Sequence, residues 1–166
     1  MNASSEKSPA RPGKRHKARQ RAMTLLFEAE SRDTDPIALA ETRRDHALKL
    51  AHSGEGGMPL VSDYALTLVK GVAVELDQID DVITQHLTDW TIDRLAAVDR
   101  TVLRIAVWEL LYGPSDVPPV TAVDEAVSIV REYSDDDAPG FVNSVLDKIL
   151  KSLPELKLRI SNGTEN

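Results

Sequence analysis

Apolar positions recur along most of this chain at intervals of three and four residues, the spacing that collects side chains on one face of an α-helix. Residues 95–112, LAAVDRTVLRIAVWELLY, depart from that pattern in an informative way. From Val102 onward nearly every position is apolar except Arg104 and Glu109. A helix apolar on almost all sides must be buried on almost all sides. Arg100, Arg104 and Trp108 follow one another at i, i+4 and i+8, so they predict one narrow stripe and hence a central helix with one accessible edge. The run is shorter than the roughly 20 apolar residues a membrane span needs, and charges inside it would be costly there.

Elsewhere the same period predicts one-sided helices. Ala18, Ala22, Leu25, Leu26 and Ala29 give a buried face to a first helix starting near Lys14. Asp35 before Pro36 is a helix start, a capping side chain followed by a proline tolerated in the first turn. The helix it opens, to about His52, has a thin face of Ile37, Ala40, Ala47, Leu48 and Ala51. A Gly-rich loop at 53–59 follows. Helical spacing then runs from Leu60 to Leu87, long enough that a break is expected between Gly71 and Asp77. Thr91 can cap the start of the central stretch, and the turn residues from Gly113 to Pro119 end it. Val120, Val123, Val127 and Val130 line the next helix, where the spacing overrules the β-leaning of valine. The acids at 135–137 favour a new N-terminus for a helix from Gly140 to about Leu153. Pro154 ends that helix, and the polar tail is expected to fray. The sum is an all-α chain of about seven helices, with no convincing strand and no repeat of fixed period.

Composition agrees. Of 166 residues 42% are hydrophobic but only 4% aromatic, so the core must be built from Leu, Val, Ile and Ala. That suits helices packed on helices in one domain or two small lobes. There is no cysteine, which removes disulfides, thiolate chemistry and cysteine metal sites and fits a reducing compartment. The charged start lacks the apolar stretch of a secretory signal, so a cytoplasmic location is expected. The two sequons, at Asn2 and Asn162, are read as chance.

The net charge of −7 conceals a division. Residues 1–21 hold seven Lys and Arg against the single acid Glu6, whereas the remainder holds 13 basic and 26 acidic residues. A basic arm on an acidic body fits nucleic-acid binding, and equally a solvated tail that only aids solubility. Arg15 and Arg19, four apart, share a helix face, and Phe27 lies eight residues further on the same side. Its ring could stack a base, although a helical Phe is more often core.

Catalytic chemistry finds little support. The four histidines, at 16, 46, 52 and 86, lack metal-binding spacing. The glycines at 54–57 lack the lysine and preceding strand of a phosphate loop. Asp135, Asp136 and Asp137 lack the spaced ligands of a calcium loop and are better read as capping residues. No nucleophile elbow and no distinguished pair of acids is present. The chain is read as a binding protein without cofactor or metal.

Several segments, in order and spacing, resemble the bacterial NusB family: Arg15-His-Lys-Ala-Arg19 running into Ala22 and Leu26-Phe27, Trp90-Thr-Ile-Asp-Arg94, Val98-Asp-Arg-Thr-Val-Leu-Arg-Ile-Ala106 with Glu109-Leu110, Asp124-Glu125-Ala126, and Phe141-Val142-Asn143 with Val145-Leu146-Asp147. The resemblance implies two perpendicular three-helix lobes and no enzymatic activity. It implies binding of the boxA element of ribosomal RNA transcripts together with NusE, a small ribosomal-subunit protein, and loading of an antitermination complex on RNA polymerase. The resemblance covers a helical RNA-binding domain at 14–153; the basic arm at 1–13, expected to be disordered from its Ser, Pro and Gly with almost nothing apolar, and the flexible tail at 154–166 have no clear family counterpart.

Carried over by position, the RNA contacts fall on Lys14, Arg15, His16, Lys17 and Arg19, with Phe27, Asp99, Arg104 and Phe141 completing the surface. Phe27 and Phe141 would be stacking rings and Asp99 an acceptor from base amino groups. Against these stand plainer roles: an ion pair for Arg104, core packing for Phe141. Asn143 is read as structural, tying a helix end or loop by its amide. His16 stands where the family often has arginine, Phe27 where tyrosine is frequent, and Asp124 where asparagine is common. Two other readings stay open, a module associated with an RNA cytosine methyltransferase and a protein-interaction domain acting through Trp90, Trp108 or the acidic body. An apolar face kept for NusE could also pair with itself, giving a homodimer.

Overall fold

The computed structural model describes residues 13–163. Among these are eight α-helices and no strand: α1 (Lys14–Ser31), α2 (Pro36–His52), α3 (Asp63–Val74), α4 (Leu76–Gln85), α5 (Ala97–Tyr112), α6 (Pro119–Tyr133), α7 (Ala138–Lys151) and α8 (Leu153–Gly163). A single 3-10 turn, Ile92–Arg94, precedes α5. None of these helices is long and apolar enough to cross a membrane. Of the basic arm expected at 1–13, all but Gly13 lies outside the described residues.

Local chemistry sets the boundaries. The Asp35 carboxylate accepts from the Ile37 N–H at 2.9 Å, with Pro36 in the first turn of α2. Ser62 caps α3 by accepting from the Ala65 N–H at 3.2 Å. Asp33 takes the left-handed conformation (φ 51°) that closes α1, a geometry Asp tolerates better than most side chains. The long apolar run breaks at Glu75, between α3 and α4 and within the expected interval from Gly71 to Asp77.

Helices α1, α2 and α3 pack on one another, and α5, α6 and α7 do likewise. Helix α5 also packs against α1, α3, α4 and α8, so it joins the two groups. Its Val102, Leu103, Ala106 and Val107 are essentially sealed, and burying each of the larger ones is worth about 1.5–3 kcal/mol. The face of α2 is thinner than expected: Ala40 and Ala47 are buried and Ile37 half-buried, while Leu48 and Ala51 are exposed.

Four expectations need correction. The tail after Pro154 is not frayed as far as Gly163. It forms α8, because Pro154 sits in that helix's first turn, where no N–H is needed, and Leu153 and Leu156 are buried. The stripe of α5 is not an open edge, since Trp108 is buried and Arg100 and Arg104 are tied up in ion pairs. Thr91 opens the 3-10 turn rather than α5, which begins at Ala97. Val120 is exposed, and the inner face of α6 comes from Ala122, Val123, Ala126, Ile129 and Val130.

Candidate nucleic-acid interface

The first turn of α1 carries Lys14, Arg15, His16 and Lys17, no acid, and no capping side chain on Gly13. Cations oppose the partial positive charge of a helix N-terminus. Local helix stability therefore argues against this sequence, and such violations collect at functional sites.

The basic side chains diverge from that turn. Lys14 and Lys17 are exposed. Arg15 lies 4.8 Å from the Tyr64 ring centroid and pairs with Asp116 at 3.2 Å. His16 Nδ1 contacts Glu125, and Gln20 donates to Glu132 at 3.1 Å. Acids of α6 and its preceding loop thus line up against the side of α1.

Arg19 has another role. It is 3% exposed and donates through Nε and Nη2 to both carboxylate oxygens of Glu109, at 2.7 and 2.8 Å. The Tyr64 hydroxyl donates to the same carboxylate at 2.6 Å. Burial, reinforced by the hydrogen bond to Glu109 and that charge, pushes the Tyr64 hydroxyl well above its ordinary value. Burial opposes the charge on Arg19, but Glu109 outweighs it and holds the guanidinium ionised. The guanidinium of Arg19 faces inward and braces α1 against α5.

Arg104 is likewise committed. It donates through Nε and Nη2 to Asp80 at 2.8 Å each and through Nη1 to Glu30 at 3.0 Å. Arg100 shares Glu30 and donates to the carbonyls of Leu95 (2.9 Å) and Ile92 (3.3 Å). Burial works against the Glu30 charge, yet Arg100 and Arg104 hold its carboxyl below the ordinary value. The ion-pair role accounts for Arg104. Phe27, on α1 one turn before Glu30, is 40% exposed and so is not a core ring.

Asp99 and Phe141, 42 positions apart in sequence, meet in one groove of about 300 Å³. Trp90, Arg94, Leu95, Ala96, Asp135, Asp137 and Ala138 complete its lining. Phe141 is half-buried against the core, so its packing and lining roles coexist. Asp99 is largely buried and accepts from the Ser134 hydroxyl at 2.6 Å. Asp137 stands at the cap position of α7 but makes no capping hydrogen bond, so the acids here line the groove. No cluster suited to a metal ion occurs among the described residues.

Arg94, Asp135 and Asp137 were not among the expected contacts, and Trp90, 56% exposed, was expected only as a protein contact. An indole outside the periodic pattern was the available signal for Trp90. Asn143 is exposed and makes no side-chain hydrogen bond among the described residues, so it ties no helix end.

Comparison with known proteins accords with this architecture. The NusB family profile matches residues 16–151. The transcription antitermination protein NusB of Corynebacterium efficiens is 46% identical over 153 residues, covering 92% of this chain and 79% of that protein. That of Corynebacterium diphtheriae is 42% identical over 157 residues, covering 94% and 84%. Among solved structures, T. maritima NusB superposes with a TM-score of 0.69 at 30% identity, covering 89% of this chain and 98% of that one. A complex of the antitermination factors NusB and NusE with double-stranded RNA gives a TM-score of 0.66 at 30% identity, covering 83% and 96%. On the family match and these identities over nearly its whole length, this chain belongs to the NusB family.

Proposed function

We propose that this protein is an RNA-binding transcription antitermination factor. It binds the boxA element of ribosomal RNA transcripts together with NusE and helps load an antitermination complex on RNA polymerase, so that ribosomal RNA genes are read through. It acts in the cytoplasm and by binding rather than catalysis. Its relatives' names and the solved NusB–NusE–RNA complex support this reading.

The observation that carries it is the pairing of two unlike features. One is a helix N-terminus crowded with cations that the helix itself disfavours. The other is a groove holding Phe141, Trp90 and the carboxylates of Asp99, Asp135 and Asp137. Phosphates supply affinity and are met by Lys14, Arg15, His16 and Lys17. Unstacked bases supply sequence information, by stacking on Phe27, Phe141 and Trp90 and by donating amino hydrogens to Asp99. Arg19 and Arg104 hold these parts in register through Glu109, Glu30 and Asp80.

Two variants separate the roles. Lys17→Gln weakens boxA and scrambled RNA equally and flattens the salt dependence by about 0.7 in log–log slope. Phe141→Ala selectively weakens boxA. If Phe141→Ala leaves boxA affinity intact and weakens only NusE binding, the groove is a protein contact; its three carboxylates would then take a basic side chain.

A further inference from the structure

We propose that Arg21 and Arg43 form a second phosphate site, on the α1–α2 side of the molecule, which grips the backbone of the RNA strand held at the tip of α1. The inference rests on the RNA-binding function proposed above.

Lys14, Lys17 and Arg21 are spaced three and four residues apart, so they run along one edge of α1 for about 10 Å. Arg15, His16 and Arg19 face the acids of α5, α6 and the loop between them. Lys14, Lys17 and Arg21, in contrast, make no ion pair among the described residues, and the only side-chain partner of Arg21 is the Thr24 hydroxyl at 3.3 Å. The Nε of Arg21 is buried and has no hydrogen-bond partner.

Arg43 of α2 lies near enough for its charge to act on Arg21. Burial, then the Arg43 charge, lower the pKa of Arg21, with Glu28 only partly compensating. Glu28 is already shared: Arg43 donates to its Oε1 at 2.6 Å and Arg32 to the same oxygen at 3.2 Å. Two guanidiniums therefore share one carboxylate, and Arg21, outside ion-pair distance of any acid among the described residues, adds a third positive charge to this side of the molecule. A like-charge cluster of this kind is stabilised by an anion, and a phosphodiester fits the planar donors of guanidinium groups. The basic edge from Lys14 leads directly to it, so the same strand can reach both places.

The test uses the full chain, a boxA RNA with flanking nucleotides, a scrambled RNA of equal length, and binding measured across a salt series. Each phosphate contact contributes about 0.7 to the log–log salt slope for a single strand. The double variant Arg21→Gln/Arg43→Gln is expected to lose about 0.7 to 1.4 of that slope and to weaken both RNAs by the same factor, since phosphate contacts carry no sequence information. Arg21→Lys keeps the charge and most of the slope. Lys157→Gln, on exposed α8, changes neither. Arg21→Gln alone keeps the Arg43–Glu28 pair, and its melting temperature stays level or rises because repulsion is removed; a merely structural Arg21 would lower it.

An unchanged slope in the double variant, with boxA preference intact in the parent, overturns this site and leaves the proposed function standing. A slope loss in a parent protein that does not prefer boxA supports the site and sinks that function. Failure of the parent to bind either RNA overturns both.

Discussion

Arg19 and Glu109 close a two-pronged ion pair across 90 residues of chain, at 2.7 and 2.8 Å and sealed from solvent. It locks the basic helix α1 to the central helix α5. Removing one partner strands a buried charge, which costs about 3–5 kcal/mol. Arg19→Ala and Glu109→Ala should therefore each lower the urea midpoint sharply, whereas Arg15→Ala, at a half-exposed site, should leave it nearly unchanged. RNA binding lost by Arg19→Ala would return as the fold is restabilised by osmolyte, while that lost by Arg15→Ala would not.

Gly71 and Trp108 make a second such contact. A Cβ at Gly71 would lie 2.2 Å from the indole, so α3 and α5 approach closely only because that hydrogen is there. Gly71→Ala gains helix propensity but overpacks the core, with a net cost of about 1–3 kcal/mol. Thermal melts of Gly71→Ala and of Gly71→Ala/Trp108→Phe check this, the second change recovering part of the loss.

Asp116 holds Arg15 at 3.2 Å from an exposed loop position. An RNA phosphate must compete with that carboxylate. Asp116→Asn should raise the affinity for boxA and scrambled RNA alike, by severalfold at low salt, with little change in stability because exposed pairs contribute about 0–1 kcal/mol.

Glu30 sets an acid limit. Its carboxyl is held below the ordinary value of 4.5 by Arg100 and Arg104 against the opposing effect of burial. The unfolded chain therefore takes up the proton first as pH falls. The stabilisation is fully present above that ordinary value and is lost as pH drops through the lowered folded value. Melting temperature should decline below about pH 4.5, and Glu30→Gln should begin lower at neutral pH and decline less.

Much of this molecule is legible in its sequence, for identifiable reasons. Asp35-Pro36 announces α2, the spacing of Val123 and Val130 distinguishes helix from strand, and the segment 113–119 ends α5. Helix α8 was obscured because Pro154 reads as a stop, although Leu153 and Leu156 already carry the three-residue spacing of a buried face. Gly71 looks like a helix break, but its role depends on Trp108, 37 positions away. The roles of Arg19 and Arg104 depend on Glu109, Glu30 and Asp80, partners brought near only by the fold. Asp99 and Phe141 could be named separately, while the groove they share with Trp90 becomes visible only in three dimensions.

The most direct test is fluorescence anisotropy of a short boxA RNA and a scrambled RNA, with and without NusE, across a salt series. Binding should favour boxA, strengthen when NusE is present, and follow a log–log salt slope near −2.8 for the four basic groups of the first turn of α1, about a fiftyfold loss between roughly 50 and 200 mM, and steeper by up to about 1.4 with Arg21 and Arg43 on the backbone. Equal binding of the two RNAs even with NusE, or no binding to either, would contradict the account.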